Sequence, residues 1–349
     1  MMNSSRWLLS ILAGSVLIGS LPVGAEAAPS QRKPLPLKQK KVLFSSPEDT
    51  LDKKPCKGKW RVTVHCRDKL HYVKSNESRH DVIRPYIRNL GGGYVGVGSD
   101  QNFTLIAFAK SKFAFLMDYD PVVVWVNMIH RALVLKSPTR KEFISHWEAK
   151  NRKKTIRYLG KFYRKHKDRH KIVWVYKAWG GVLRRHFQRR RYRRIRWKKK
   201  GIVRNESWLS HEPYYQYIRM MFKTGRIRVM KGDLLRNKSL TGIGKVSHKL
   251  GMPIRVFYFS NAEQFWPYIK QFRKNQLSLF RDKKSVIVRT LASRRYRPAL
   301  DYIWVYILQP GLHFHKKLKS KKTRSVWSLA KQMKKVSRGV YELGTIKKQ

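Results

Sequence analysis

The fold class predicted is α/β: a Rossmann-like, mostly parallel sheet of about six or seven strands with helices on both faces and a basic helical insertion. Three observations predict it. The stretch GGGYVGVGSDQN, Gly91 to Asn102, reads as strand, glycine turn and helix start. A second apolar run, KFAFLMDYD, places Asp118 at its end, twenty residues after Gly98. Apolar runs then alternate with helical segments toward the C-terminus, the rhythm of a parallel sheet.

Taken in order, Arg6 precedes the apolar run Trp7 to Leu21, which Pro22 breaks and Ala25-Glu26-Ala27 closes. That layout is a secretory signal peptide, residues 1–27, and the run is shorter than the roughly 20 residues that span a bilayer. The expectation is an exported chain, periplasmic or extracellular, with no transmembrane span once cleaved. Residues 28–52, with four prolines after Ala28, read as a disordered linker too poor in large apolar side chains to fold. The two cysteines, Cys56 and Cys66, bracket the strand-like alternation Trp60, Val62, Val64. Export favours a disulfide between them; two buried free thiols are the alternative. With His65 and His71 they match no metal-ligand spacing. Residues 53–136 are assigned to an N-terminal unit and the first half of the sheet, 137–225 to the insertion, 226–310 to the second half and 311–349 to a basic tail.

Within the first half, Gly93 to Val97 is a strand, Ser99 or Asp100 is the helix N-cap, and Phe103, Ile106, Ala107 and Ala109 recur at helical spacing. An acid about 20 positions after such a glycine turn accepts hydrogen bonds from a ribose diol. GVGSD is shorter than the full GxGxxG, so a tight βα turn with a chance acid is the competing reading. In the second half, Ile227 to Met230 ends in Gly232-Asp233, and a helix through RNKSLTGIGKVSHK stops at Gly251. Ile254 to Phe259 ends in Ser260, Asn261, Glu263 and Gln264. A basic amphipathic helix, Phe265 to Phe280, leads into SVIVRTL and then YIWVYILQ. Ligands of such sheets bind outside the carboxyl ends of the strands, where each of these polar clusters falls. Salt bridges to the abundant Arg and Lys are an equally available role for the acids.

The order GVGSDQN, FLMDYD, GDLL, FYFSNAEQFW resembles an uncharacterised family of bacterial, mostly exported proteins with a class I S-adenosylmethionine-dependent methyltransferase-like fold. The resemblance covers most of Tyr86 to Leu291. It implies a cleft for a small, nucleoside-type ligand, S-adenosylmethionine being the implied cofactor, lined by Gly96, Gly98, Asp100, Gln101, Asn102, Asp118, Asp233, Asn261, Glu263 and Gln264, with Ser260 beside them. The chain departs from methyltransferases in lacking an acid before the glycines and a third glycine after them. Ser260-Asn261-Ala262-Glu263 also stands where amino-methyltransferases carry Asn/Asp-Pro-Pro-aromatic. S-adenosylmethionine is made in the cytoplasm, which an export signal leaves behind.

Charge supplies the rival function. The chain carries 79 Lys and Arg against 20 Asp and Glu, a formal net charge of +59. The segment WGGVLRRHFQRRRYRRIRWKKK interleaves Phe187, Tyr192, Ile195 and Trp197 with Arg184, Arg185, Arg189, Arg190, Arg191, Arg193, Arg194 and Arg196. Those arginines are expected to face a polyanion, and an anionic envelope component fits export better than nucleic acid does. A merely solvated basic face is the bland alternative. No HExxH, GxSxG or phosphate loop occurs, and His313 and His315 read as surface residues. Two functions are therefore expected: an exported methyltransferase-like ligand-binding protein, or a non-enzymatic polyanion-binding protein on an inactive Rossmann scaffold.

Overall fold

The short apolar runs do pair into one sheet. The computed structural model describes residues 33–50, 71–192, 206–293, 296 and 304–349. The expected signal segment, Cys56 and Cys66, and Arg193, Arg194 and Arg196 lie outside the described residues, as does the side chain of Arg190.

The sheet holds eight strands: β1 Gly93–Val97, β2 Phe113–Asp118, β3 Ile227–Lys231, β4 Ile254–Tyr258, β5 Val286–Ala292, β6 Trp304–Pro310, β7 Lys334–Ser337 and β8 Val340–Glu342, in the order β3-β2-β1-β4-β5-β6-β8-β7. The pairs β1–β2, β2–β3, β1–β4 and β4–β5 are parallel, with Gly96 opposite both Leu116 and Tyr258. β6 runs antiparallel to β5, and β8 runs parallel to β6. Chain order reverses between β1 and β4, which opens a switch point at their carboxyl ends.

The helices are α1 Leu37–Phe44, α2 Arg84–Ile87, α3 Gln101–Ala109, α4 Pro121–Lys136, α5 Arg140–Ser145, α6 Arg152–Phe162, α7 Arg169–His186, α8 Glu212–Lys223, α9 Ser239–Lys249, α10 Lys270–Leu277, α11 Gly311–Lys319 and α12 Val326–Ala330. Successive strand residues point to opposite faces, so β1 serves two cores. Tyr94 joins Phe103, Trp125, Ile129, Phe143 and Trp208 on one side; Val95 joins Phe115, Leu240, Ile243, Phe272 and Phe314 on the other. Gly96 admits the first turn of α3, because a Cβ there would sit 2.0 Å from Asn102 Oδ1.

Three expectations change. Residues 33–50 are not a linker, since α1 buries Leu43 and its flanks bury Leu35, Ser46 and Asp49. The anchors are sparse among Pro and Lys, which is why composition hid them. Residues 311–349 are not a tail: Phe314, Leu318, Val340 and Leu343 are buried, and β8 extends the sheet. The basic helix after β4 is only α10; residues 262–265 form a 3₁₀ turn and Pro267 stands between the two. No helix among the described residues is long and apolar enough to cross a membrane.

Candidate functional site

The turn after β1 is built as the sequence suggests but spends its polar groups internally. Gly98 has φ +91, a conformation glycine adopts without steric cost. Its N–H donates to Asp118 Oδ2 at 3.0 Å, and the Asp120 N–H donates to Asp118 Oδ1 at 2.9 Å. Adjacent strands thus bring turn and acid together, with the acid braced on the turn's own backbone. Asn127 on α4 donates to the Gly98 carbonyl at 2.8 Å. Asn102 donates to the carbonyls of Val97 at 3.0 Å and Ser99 at 2.9 Å, while the Tyr94 hydroxyl donates to its Oδ1 at 2.6 Å. Gln101 donates to Val97 O at 3.4 Å. Both amides brace the turn.

Asp100 stands at the N-cap position of α3, but its side chain makes no capping bond. It is wholly buried, with His186 Nε2 3.0 Å from Oδ1 and Arg191 Nε 2.7 Å from Oδ2. Burial opposes its charge, yet Arg191 and His186 outweigh that and hold the carboxyl well below its usual range. Arg191 also donates to the Glu77 carbonyl at 3.2 Å. α7 runs on into a π turn, Phe187–Tyr192, and His186, Phe187 and Arg191 are all buried there. Arg191 is therefore a core cation rather than a polyanion contact. Of the other described arginines in that run, Arg185 and Arg189 are exposed and Arg184 is half-buried.

Beside this cluster His130 is caged by Phe103, Phe143, Trp147 and Phe187, and burial pulls its pKa down to about 4 against the nearby Asp100 charge. Below about pH 6.5 the unfolded chain protonates this histidine while the folded one does not, so stability falls as pH drops from about 6.5 to about 4. The expected loss from this residue is about 3 kcal/mol. His130→Leu should shrink the difference between urea unfolding at pH 7 and at pH 4.5 by about 2 kcal/mol, most of that loss; an unchanged difference refutes the assignment. His186, whose pKa burial also lowers, leaves a residual slope of the same sign.

The ends of β4 and β5 hold a residue the sequence reading missed. Glu77 is buried, and its carboxylate accepts from Tyr258 at 2.5 Å, Ser260 at 3.0 Å and Thr290 at 2.9 Å, with His80 Nε2 at 3.7 Å. Burial opposes its charge, but His80 and the Tyr258 and Thr290 hydroxyls together lower its pKa. His71 Nδ1 lies 2.8 Å from Asp120 Oδ2. Residues 71–80 therefore cross the carboxyl edge of the sheet, from the end of β2 to the ends of β4 and β5. The one signal for Glu77 was the scarcity of acids; its polar loop, SNESRH, has no periodicity to read.

Glu263 faces inward, accepting from Tyr268 at 2.7 Å and from buried Arg289 at 2.6 Å. Gln264 exchanges two hydrogen bonds with the backbone of Ala292. Asn261 precedes the 3₁₀ turn without capping it. Asp233, beyond β2 at the end of β3, accepts from the Leu235 N–H at 2.9 Å, while its own N–H donates to Asp49 at 2.9 Å. Asp49 also receives the N–H groups of Lys238 and Ser239 at the start of α9. Asp100, Asp118, Asp233 and Glu263 thus stand at or beyond the carboxyl ends of the strands, and each has hydrogen-bond partners within the protein. Among the described residues no group of three His, Cys, Asp or Glu is arranged to hold a metal.

The helical insertion carries two grooves. A groove of about 560 Å³ between α6 and α7 is lined by Arg157, Lys161, Arg164, Arg169, His170 and Lys177 over the apolar Ile156 and Val173, with Trp174 43% exposed. Helical periodicity puts Arg157 and Lys161 on one face of α6, Arg164 follows in the turn after the helix, and no acid lines the groove. A second groove, of about 510 Å³, is lined by Lys141, Arg189 and Tyr192 with the single acid Glu148.

No curated protein matches the chain. The family described as Domain of unknown function (DUF7790) matches residues 72–347, from the segment that delivers Glu77 through the last strand of the sheet. Its description is coarser than a methyltransferase resemblance, and its match spans most of the chain: the protein belongs to this family.

Proposed function

We propose that the protein binds a linear polyanion, an anionic envelope polymer, in the groove between α6 and α7, with a Rossmann-like sheet as the scaffold that holds the helical pair. The observation that carries this reading is the groove itself: five Lys and Arg side chains, an exposed tryptophan and no acid. In a groove with low-dielectric walls, charges of one sign reinforce one another and raise the local concentration of an anionic partner. The pairing at the carboxyl edge supports the same reading, because Glu77, Asp100 and Glu263 already have partners inside the protein.

Binding of fluorescently labelled heparin, taken as the probe polyanion, tests the reading. Lys161→Glu/Arg164→Glu/Lys177→Glu should raise Kd at least tenfold, about 1.4 kcal/mol, and flatten the dependence on salt. Lys316→Glu/Lys319→Glu/Lys334→Glu, with the same change in net charge elsewhere, should cost much less. Equal losses in the two triple variants would reduce the groove to ordinary surface charge.

One observation favours the methyltransferase-like reading: Gly98 and Asp118 stand in the turn-and-acid relation that holds a ribose in doubly wound folds. Calorimetry with S-adenosylmethionine separates the two readings. Saturable heat lost in Asp118→Ala would move the function to the carboxyl edge, and no heat is expected if the scaffold only supports the groove.

A further inference from the structure

Large apolar side chains on a monomer's surface are unremarkable one at a time and informative when they cluster. After β4 the chain exposes Phe265 by 73% and Ile269 by 43%, and α12 exposes Trp327 by 38%. These segments are tied together: the Tyr268 N–H donates to the Arg324 carbonyl at 2.7 Å, Arg273 donates to the Thr323 carbonyl, and α12 packs on the 3₁₀ turn that carries Phe265. Beneath the patch the packing is firm, since Tyr268 and Phe272 stack with centroids 4.7 Å apart and Val326 and Leu329 are buried. Exposed Lys270, Arg324 and Lys331 flank it. The one acid between residues 262 and 277 is Glu263, which is buried against Arg289, and residues 320–332 contain none.

Exposed aromatic and aliphatic tips on a rigid base, carried with exposed cations on two segments that hold no exposed acid, match the two layers of an anionic bilayer surface. Rings and branched side chains suit the headgroup–acyl boundary, and Lys and Arg suit the phosphates just outside it. A second copy of this chain is the poorer occupant, because two bodies each of formal charge +59 repel. We propose that the patch formed by Phe265, Ile269 and Trp327 docks the protein on anionic lipid, with Lys270, Arg324 and Lys331 meeting lipid phosphates. The patch lies on residues 265–331 and the groove on residues 156–177, so this inference stands independently of polyanion binding.

A protein this basic adheres to any anionic vesicle at low salt, so the test must isolate the apolar contact. The chain expected after signal cleavage, beginning at Ala28, is used, because the apolar run Trp7 to Leu21 would itself partition into lipid. Co-sedimentation with phosphatidylglycerol/phosphatidylcholine vesicles is measured at low and at high salt for the parent and for Phe265→Ser/Trp327→Ser, with circular dichroism confirming the fold of both. At low salt both should bind. At high salt, where the Coulombic part is screened, the parent should stay bound while the double variant needs at least tenfold more lipid for half-binding. Pure phosphatidylcholine vesicles should hold the parent at least tenfold more weakly than the mixed ones at low salt. The proposal is overturned if salt releases the parent completely, if the double variant matches the parent at high salt, or if the two lipid compositions bind equally.

Discussion

Asp100→Ala should lower the unfolding free energy by about 3–5 kcal/mol, as expected when one partner of a buried ion pair is removed. The carboxylate is wholly buried and is matched by the Arg191 guanidinium at 2.7 Å and His186 at 3.0 Å. Without it Arg191 keeps only the Glu77 carbonyl as a named partner in a site with no access to water. The cost is the uncompensated cation rather than the worth of the pair. Asp100→Leu/Arg191→Met removes both charges and should recover most of the loss, because a buried pair exchanged for apolar groups of similar volume is often close to neutral. Urea unfolding of the two variants checks this directly. A loss below about 1 kcal/mol in Asp100→Ala would mean that Asp100 is not a structural anchor and would return it to the ligand-binding role expected from the sequence.

The places of these residues were legible in the sequence and their partners were not. β1, β2, β3, β4 and the turn at Gly98 are written in local patterns of a few residues, and Asp118 follows from them because parallel neighbours deliver their ends to one edge. Asp100 is different. Its partners lie 86 and 91 residues away, on α7 and the π turn after it, and nothing in the spacing of SDQN announces a pairing across the insertion. The arginine-rich run misled for the same reason: a run of like charges reads as one surface, whereas the π turn buries Arg191 and leaves Arg189 outside. Glu77 shows the complementary failure. An irregular loop has no period, so its burial depends on hydroxyls from Tyr258, Ser260 and Thr290 that arrive from two distant strands. Basic composition also concealed folded structure wherever a few apolar anchors suffice, as at Leu43 in α1 and at Val340 in β8.

Arg289→Met should cost a comparable 3–5 kcal/mol at neutral pH, for the opposite charge. Arg289 is buried, with its Nε 2.6 Å from Glu263, its Nη1 2.7 Å from Gln309 and its guanidinium 4.8 Å from the Phe314 ring centroid. Even with this partner, burial leaves the Glu263 carboxyl above its usual range, the attraction of Arg289 notwithstanding. Losing the guanidinium drives it further up, so the folded variant holds a proton that the unfolded chain has released. Stability then falls as pH rises from the unfolded carboxyl value, about 4.3, through the folded one, the reverse of the slope assigned to His130. The remaining cation nearby is Arg281, whose own pKa burial, with Arg289 beside it, lowers to about 9. Arg289→Met relieves that repulsion and caps the loss. Urea unfolding of the variant at pH 4.5 and at pH 7.5 should show the larger destabilisation at the higher pH, and adding Glu263→Gln should remove the difference. Equal destabilisation at both values would mean that Glu263 stays ionised without Arg289, and the guanidinium would then be holding the β5 end through Gln309 and the aromatic rings rather than through charge.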